Sequence, residues 1–175
     1  EELRSEQVKA VWTRFGSVII GIAILIVVGT IGKVGYEYWH ETSASQSGDE
    51  FLAALTLSRE NKTDEALAAL ATLEKDGYGA YPVLAKMRAA TLQAQKGDTA
   101  GAVKVFSDIS KDTALPQAMR DAARMRAAYL LVDTGTYEQV SAEAEQLAVP
   151  GNGMRHSARE ALGLAAYKAG DMAKA

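Results

Sequence analysis

Side chains able to perform nucleophilic, acid–base or metal chemistry are few in this sequence and lie far apart along it. Cysteine is absent, and the two histidines are His40, beside Trp39, and His156, in a glycine-containing segment typical of a turn. Catalysis needs a nucleophile, a base and an orienting group together, and a metal site needs several ligands at set spacings. The sequence contains neither a Gly-x-Ser-x-Gly segment nor a phosphate-binding loop. It therefore predicts a protein that is not an enzyme and that holds no metal or cofactor.

The charged side chains do not indicate a nucleic-acid site either. The formal net charge is −3 for 175 residues, whereas nucleic-acid-binding domains carry clustered basic charge. The charged groups that recur at helical spacing are expected on solvated helix faces. They are Glu143, Glu145, Arg120, Arg124 and Arg126.

One stretch of the chain is apolar enough to predict where the protein resides. From Phe15 to Gly32 there is no charge, and the run is bounded by Arg14 and Lys33. A helix over this run, continued by two residues, would be about 30 Å long, which is the thickness of the hydrocarbon core of a bilayer. The chain is thus divided into an amphipathic cytoplasmic lead, a transmembrane helix, an interfacial segment with a linker, and a larger domain, at residues 1–14, 15–34, 35–48 and 49–175.

Two other interpretations of the apolar run are a secretory signal peptide and a buried core helix. The apolar core of a signal peptide is usually about 7–15 residues long and is followed closely by a cleavage site. This run is longer, and it is followed by Tyr36, Tyr38 and Trp39, which suit a membrane interface. A core helix rarely has eighteen uncharged residues between basic ends. A membrane anchor is therefore favoured over both alternatives.

Basic residues on the two sides of the span predict its orientation. Three precede it, Arg4, Lys9 and Arg14, and only Lys33 follows within the next twenty residues. Lysine and arginine are retained on the cytoplasmic side of a membrane. The N-terminus is therefore expected in the cytoplasm and the larger domain across the bilayer, which in a bacterium is the periplasm beyond the inner membrane.

Small residues recur on one face of the predicted span. Ser17, Gly21 and Gly29 are separated by multiples of four residues, so they share a face along which another transmembrane helix could approach closely. Glycine is also common in membrane helices in general. The pattern is compatible with a docking face or with ordinary composition.

The larger domain repeats a short pattern of glycine, then Asp or Thr, then Ala or Val. The spacings between Asn61, Gly97, Gly135 and Gly170 are 36, 38 and 35 residues, close to the period of about 34 residues of tetratricopeptide repeats. Glycine or asparagine can adopt the left-handed conformation that ends a helix, and the next Asp or Thr can cap another. Each period therefore predicts two antiparallel helices.

The repeat pattern predicts an all-α fold, in which a single transmembrane helix precedes a tetratricopeptide-like α-solenoid of antiparallel helix pairs. The predicted helices are 49–61, 63–75, 82–96, 98–111, 116–134, 136–148 and 154–169, with another beginning at Asp171, where the chain is expected to be cut short. Small residues are needed where paired helices cross. The residues that define the repeats, at these crossings or at the junctions between helices, are Ala54, Ala66, Ala90, Gly97, Ala102, Ala128, Gly135, Val140, Gly163 and Gly170.

The first helices of the pairs offer the best candidate for a binding surface. In a solenoid of this type they line the concave side, and methionine and tyrosine suit varied peptide segments. The candidate peptide-binding groove consists of Phe51, Leu55, Met87, Arg88, Thr91, Met125, Arg126, Tyr129 and Leu164. The same apolar side chains could instead pack between repeats or be covered by a further C-terminal helix.

The chain resembles the ancillary SecYEG translocon subunit (YfgM-like) family, whose members are single-span tetratricopeptide proteins that share a repeat domain with a periplasmic cell-division coordinator. The resemblance rests on EELRSEQ at residues 1–7, the Trp12-x-x-Phe15-Gly16 segment, ARMRAAYLL at residues 123–131 and REALGLAAYKAGD at residues 159–171. It implies an inner-membrane protein with a cytoplasmic N-terminus. It also implies that the periplasmic repeats contact translocon subunits, periplasmic chaperones or emerging exported polypeptides.

Two functions are compatible with these features. The first is a membrane-tethered periplasmic adaptor that binds proteins near the Sec translocon. The second is a structural scaffold or assembly factor for an envelope complex, including one that coordinates cell division or self-associates, without client binding. The lipid bilayer is an expected partner in both, and nucleic acid in neither.

Overall fold

The computed structural model describes the backbone of residues 2–174 and the side chains of residues 17–18 and 20–174. Over this part of the chain all regular structure is helical, so the all-α prediction is confirmed. The helices are α1 (Glu2–Arg59), α2 (Thr63–Asp76), α3 (Tyr81–Gln95), α4 (Thr99–Lys111), α5 (Gln117–Thr134), α6 (Tyr137–Ala144) and α7 (Arg155–Lys168).

The chain divides into two units, residues 1–46 and 47–175. The first unit is the greater part of α1, and from Ile20 onward this helix is long and apolar enough to cross a membrane. None of its most apolar window is buried. The hydroxyl of Thr30 donates to the carbonyl of Ile26 at 2.7 Å, so one of its few polar groups is satisfied within the helix.

The structure describes two of the predicted segments of α1 to different extents. The backbone of the amphipathic lead is helical from residue 2, but its side chains lie outside the described residues. Residues 35–48, predicted as an interfacial segment with a linker, are helical throughout.

The second unit is built from helix pairs. Its pairs are the end of α1 with α2, α3 with α4, and α5 with α6, followed by α7. From α2 onward, the observed helices lie within a few residues of the predicted ones except at two places. Helix α6 ends at Ala144 instead of 148, and residues 172–174 form turns instead of a helix. The N–H of Lys174 bonds to the carbonyl of Asp171, three residues back, whereas an α-helical bond spans four.

Three of the four predicted junction residues have the left-handed backbone that the spacing predicts. The φ angles of Asn61, Gly97 and Gly170 are 61°, 103° and 77°. Gly135 instead has φ −105° and ψ −171°, which any residue can adopt. Glycine relieves crowding there, because an added Cβ would lie 3.0 Å from the backbone carbonyl oxygen of Leu131.

Two of the helices that follow these junctions, α4 and α6, begin with the expected side-chain caps, whereas α2 begins after Lys62 without one. The carboxylate of Asp98 accepts a hydrogen bond from the N–H of Gly101 at 2.9 Å. Thr136 and Gln139 form a capping box, in which each side chain bonds the other residue's backbone N–H.

The core consists of three clusters arranged in chain order. The first lies among α1, α2 and α3 around Leu70, the second among α3, α4 and α5 around Phe106, and the third among α5, α6 and α7 around Leu147. Apart from the glycines at the helix junctions, most of the small residues of the repeat pattern lie in these clusters. Those with no more than 1% exposure are Ala54, Ala66, Ala90, Ala102, Ala128 and Val140, while Gly163 is half-buried.

Candidate functional site

A groove lies between α3 and α5, the first helices of two successive pairs. Helix α5 packs closely against α7, but α3 and α5 do not pack closely against each other. The gap between them is closed from below by α4, whose Phe106 is 1% exposed. We call this feature the α3–α5 groove.

Two clefts in the groove have volumes of about 280 and 160 Å³. They share three lining residues, Thr91, Phe106 and Arg126. The other lining residues are Leu84, Met87, Arg88, Ala94, Gln95, Tyr129 and Leu130. The structure therefore brings five of the nine predicted groove residues to one site, namely Met87, Arg88, Thr91, Arg126 and Tyr129.

Among the described residues, the guanidinium groups of Arg88 and Arg126 are the only charged groups that line the clefts. Arg126 is exposed, and no hydrogen bond or ion pair links it to another described side chain. Arg88 donates from Nη2 to the hydroxyl of Ser58 at 2.7 Å, while its buried Nε has no hydrogen-bond partner. Both clefts lack a carboxylate. The groove therefore combines apolar walls with uncompensated positive charge.

The neighbouring gaps between first helices are bridged by polar side chains. The Arg88–Ser58 hydrogen bond joins α3 to the end of α1, and Tyr129 on α5 donates to Oε2 of Glu160 on α7 at 3.3 Å. Across the described residues, no side-chain hydrogen bond joins α3 to α5. Of the three gaps between successive first helices, the one between α3 and α5 is therefore the open one.

Comparison with known proteins agrees with this architecture. The sequence pattern of a family described as tetratricopeptide repeat-like domain matches residues 9–175. The chain belongs to this family. No curated protein and no solved structure matches it. Tetratricopeptide-like repeats generally mediate contacts between proteins and are generally not catalytic.

The remaining predicted groove residues of this tetratricopeptide-like domain lie elsewhere. Phe51 and Leu55 are half-buried on α1, and the ring of Phe51 lies 6.2 Å from that of Tyr81. Leu164 is exposed on α7. Met125 is only 6% exposed and belongs to the core cluster of α5, α6 and α7, so it does not line the groove. Helix α7 packs against α5 and contributes to the cluster that encloses Met125.

Two of the charges expected on solvated faces are instead withdrawn from solvent. Arg124 on α5 and Glu143 on α6 form an ion pair, and the hydroxyl of Ser107 on α4 donates to the same carboxylate. Ser107 and Glu143 are 36 residues apart, which is one repeat period. Residues one repeat period apart occupy equivalent positions in successive repeats, so this separation in the sequence favours the contact.

A second buried polar contact holds the connection between α6 and α7. The carboxylate of Asp121 is 8% exposed and accepts hydrogen bonds from the side-chain amides of Gln117 at 2.6 Å and Asn152 at 2.9 Å. Burial of a carboxylate is tolerated when donors satisfy it. This carboxylate therefore fixes the glycine-containing turn that sequence reasoning treated only as a turn.

A further cavity of about 280 Å³ lies where α5, α6 and α7 meet. Its only cation, Lys168, donates to the carbonyls of Val132 and Asp133 at 3.1 and 2.6 Å and so caps the end of α5. On its rim, the pKa of Glu138 lies below its ordinary value because the carboxylate accepts hydrogen bonds from its own backbone N–H and from Thr136. These polar groups already have hydrogen-bond partners within the fold. The cavity therefore has fewer free polar groups for binding a ligand than the α3–α5 groove has.

The predicted transmembrane docking face and the histidines show no assembled site in the described structure. Ser17, Gly21 and Gly29 are exposed, and a Cβ added at either glycine would meet nothing within 4 Å. The rings of His40 and Tyr36 lie 6.0 Å apart, and His156 contacts the adjacent Arg155. Within the described residues, no group of three or more His, Cys, Asp or Glu side chains is placed to hold a metal ion.

Proposed function

We propose that this protein is a membrane-tethered adaptor that binds other proteins through the α3–α5 groove. The observation that carries the proposal is the groove itself, an open gap between first helices with apolar walls and the free guanidinium of Arg126. Membership of a repeat family that generally mediates protein contacts supports it. The apolar helix supports a tether, because it is long enough to cross a bilayer.

The adaptor works on the far side of the bilayer, in the periplasm of a bacterium. Support comes from the excess of basic residues before the span. The resemblance to the YfgM-like family favours the Sec translocon, periplasmic chaperones and exported polypeptides as partners. A tether raises the effective concentration of the groove near the membrane, so each contact can be weak and exchangeable.

Site-specific photocrosslinking in intact cells tests this proposal. A photoreactive residue is placed at Gln95 or Tyr129, which are exposed and line the groove, and at Ala71 as a control that is exposed on the second-helix side. We expect crosslinks to several different proteins from both groove positions and few from Ala71.

The pattern of crosslinks separates the adaptor from the scaffold function. Recovery of translocon subunits, chaperones and newly exported chains supports the adaptor. A single stable partner, or a second copy of this chain, indicates a scaffold. Equal crosslinking from the groove positions and from Ala71 contradicts a binding role for the groove.

A further inference from the structure

We propose that the α3–α5 groove selects acidic amphipathic segments, with an apolar side chain in the cleft and a neighbouring carboxylate paired with Arg126. This inference rests on the proposed function and adds the chemical class of the bound segment. It is carried by the charge of the lining and by the state of the two guanidinium groups.

The positive lining is not a consequence of composition. The chain has 22 acidic and 19 basic residues, yet the lining of the two clefts contains two arginines and no carboxylate. Some basic side chains elsewhere in the domain are paired with carboxylates, as Lys96 is with Asp64 at 2.6 Å and Lys104 with Asp108 at 2.6 Å. The lining of the groove therefore carries positive charge with no described carboxylate beside it.

The two arginines differ in what they can offer. Arg88 already donates to Ser58, so it is held in place and contributes mainly its positive field. Arg126 has no partner among the described residues and is exposed at the junction of the two clefts. A free guanidinium presents a planar pair of donors that matches a carboxylate in two parallel hydrogen bonds.

The apolar part of the groove supplies the second half of the recognition. Phe106 and Leu130 line the cleft of about 280 Å³, and Met87 lines the adjoining cleft of about 160 Å³. Both volumes are below the range of about 300–1,000 Å³ for small-molecule pockets. The cleft therefore suits single side chains better than a cofactor. A basic segment would place like charges together beside Arg126, which opposes binding.

Binding of matched synthetic peptides to the full chain tests the selection. The chain is held in nanodiscs of neutral phosphatidylcholine, and empty nanodiscs give the background. The probes are three amphipathic peptides that differ only at the polar positions beside the apolar anchor, which are Glu, Gln or Lys. Their ends are acetylated and amidated, so the ends carry no charge. We expect the Glu peptide to bind about five- to tenfold more tightly than the Gln peptide, the range expected for a partly desolvated ion pair.

Variants of the chain assign the preference to one residue. Arg126→Gln should abolish the difference between the Glu and Gln peptides, and Arg126→Glu should favour the Lys peptide. Arg159→Gln is the matched control, because Arg159 is also an exposed helical arginine without a partner among the described residues, but lies on α7 outside the clefts. It should keep the full preference. Circular dichroism checks that all variants have equal helix content.

Three outcomes overturn the inference. They are equal binding of the Glu and Gln peptides, an unchanged preference in Arg126→Gln, and no binding of any of the three peptides. If crosslinking from Gln95 and Tyr129 still yields several proteins in those cases, the adaptor function stands and only the acidic selectivity fails. If crosslinking fails as well, both proposals fall.

Discussion

Arg124 on α5 and Glu143 on α6 form an ion pair that is largely withdrawn from solvent. Their Nε and Oε2 atoms lie 3.6 Å apart, and the side chains are 15% and 13% exposed. Ser107 on α4 donates to the other carboxylate oxygen, and Nη1 of Arg124 donates to Gln146 at 2.7 Å. One carboxylate therefore joins three helices from two successive repeats.

Replacing Glu143 by Gln should destabilise the domain. The change keeps the shape but removes the negative charge, which leaves the guanidinium of Arg124 withdrawn from solvent without a counterion. We expect the free energy of unfolding to fall by about 1–3 kcal/mol. Urea unfolding followed by circular dichroism in detergent micelles measures the change.

Glu145→Gln is the control for Glu143→Gln. Glu145 is a neighbouring carboxylate in the same turn region but is exposed, so its replacement should change stability by less than about 0.5 kcal/mol. Equal effects of the two substitutions would show that the ion pair does not hold the helices together.

The sequence predicts the repeats well because their junctions are local. Asn61 and Gly97 have the backbone conformation that a helix end requires, and Asp98 caps the next helix, so short spacings suffice to place each pair. Contacts made by packing between helices are not local. Met125 and Tyr129 are four residues apart on one helix, yet α7 helps to cover Met125 and leaves Tyr129 40% exposed.

The candidate groove is predictable from the sequence only in part, because it combines local helical spacing with packing between helices. Helical spacing placed Met87, Thr91 and Arg126 together on the first helices. It did not show that α3 and α5 stay apart over Phe106, because this depends on how α4 packs beneath them. Likewise, periodicity assigns Glu143 to a polar face but cannot show that Ser107 and Arg124 enclose it.

A larger side chain at the crossing of α3 and α4 should be poorly tolerated. Ala102 is 0% exposed and packs in the cluster that contains Ala90 and Phe106. Ala102→Leu adds three carbon atoms where the helices approach closely, and overpacking of this kind costs about 1–3 kcal/mol. Thermal unfolding of the domain should therefore begin at a lower temperature.

Ala100→Leu provides the matched control on the same helix. Ala100 is exposed, and leucine has nearly the helix propensity of alanine, so the melting temperature should stay close to that of the unmodified chain. The packing argument fails if Ala102→Leu is equally well tolerated.

The caps of α4 and α6 should contribute to stability independently. Asp98→Ala and Thr136→Ala each remove a side-chain acceptor for a backbone N–H, and loss of such a cap costs about 0.5–2 kcal/mol. The two helices start in different repeats, so the double variant should show the sum of the single losses. Urea denaturation of the single and double variants checks this, and a double loss no larger than one single loss would be inconsistent with it.

The two methionines that the sequence predicted for the groove should respond differently to replacement by serine. Met125 is in the core, so Met125→Ser should lower the free energy of unfolding by about 2–5 kcal/mol, as for other buried methionines. Met87 is half-buried at the edge of a cleft, so Met87→Ser should cost less and should reduce crosslinking from Gln95. Chemical denaturation measures the free energy of unfolding of both variants, and the yield of crosslinks from Gln95 measures binding in the groove. A greater loss of stability in Met87→Ser than in Met125→Ser would contradict the core position of Met125.

Two charges in the middle of the apolar helix should release the protein from the membrane. Ile24 and Val27 are exposed on α1, so in a membrane they would contact lipid tails. An arginine at the centre of a span costs about 2.5–3.5 kcal/mol. The Ile24→Arg, Val27→Arg double variant should appear in the soluble fraction after alkaline carbonate extraction of cell membranes. The Ile24→Leu, Val27→Leu variant keeps the apolar surface and should stay in the pellet. Full retention of the arginine variant in the carbonate-washed pellet would contradict the prediction that the apolar surface around Ile24 and Val27 holds the chain in the bilayer.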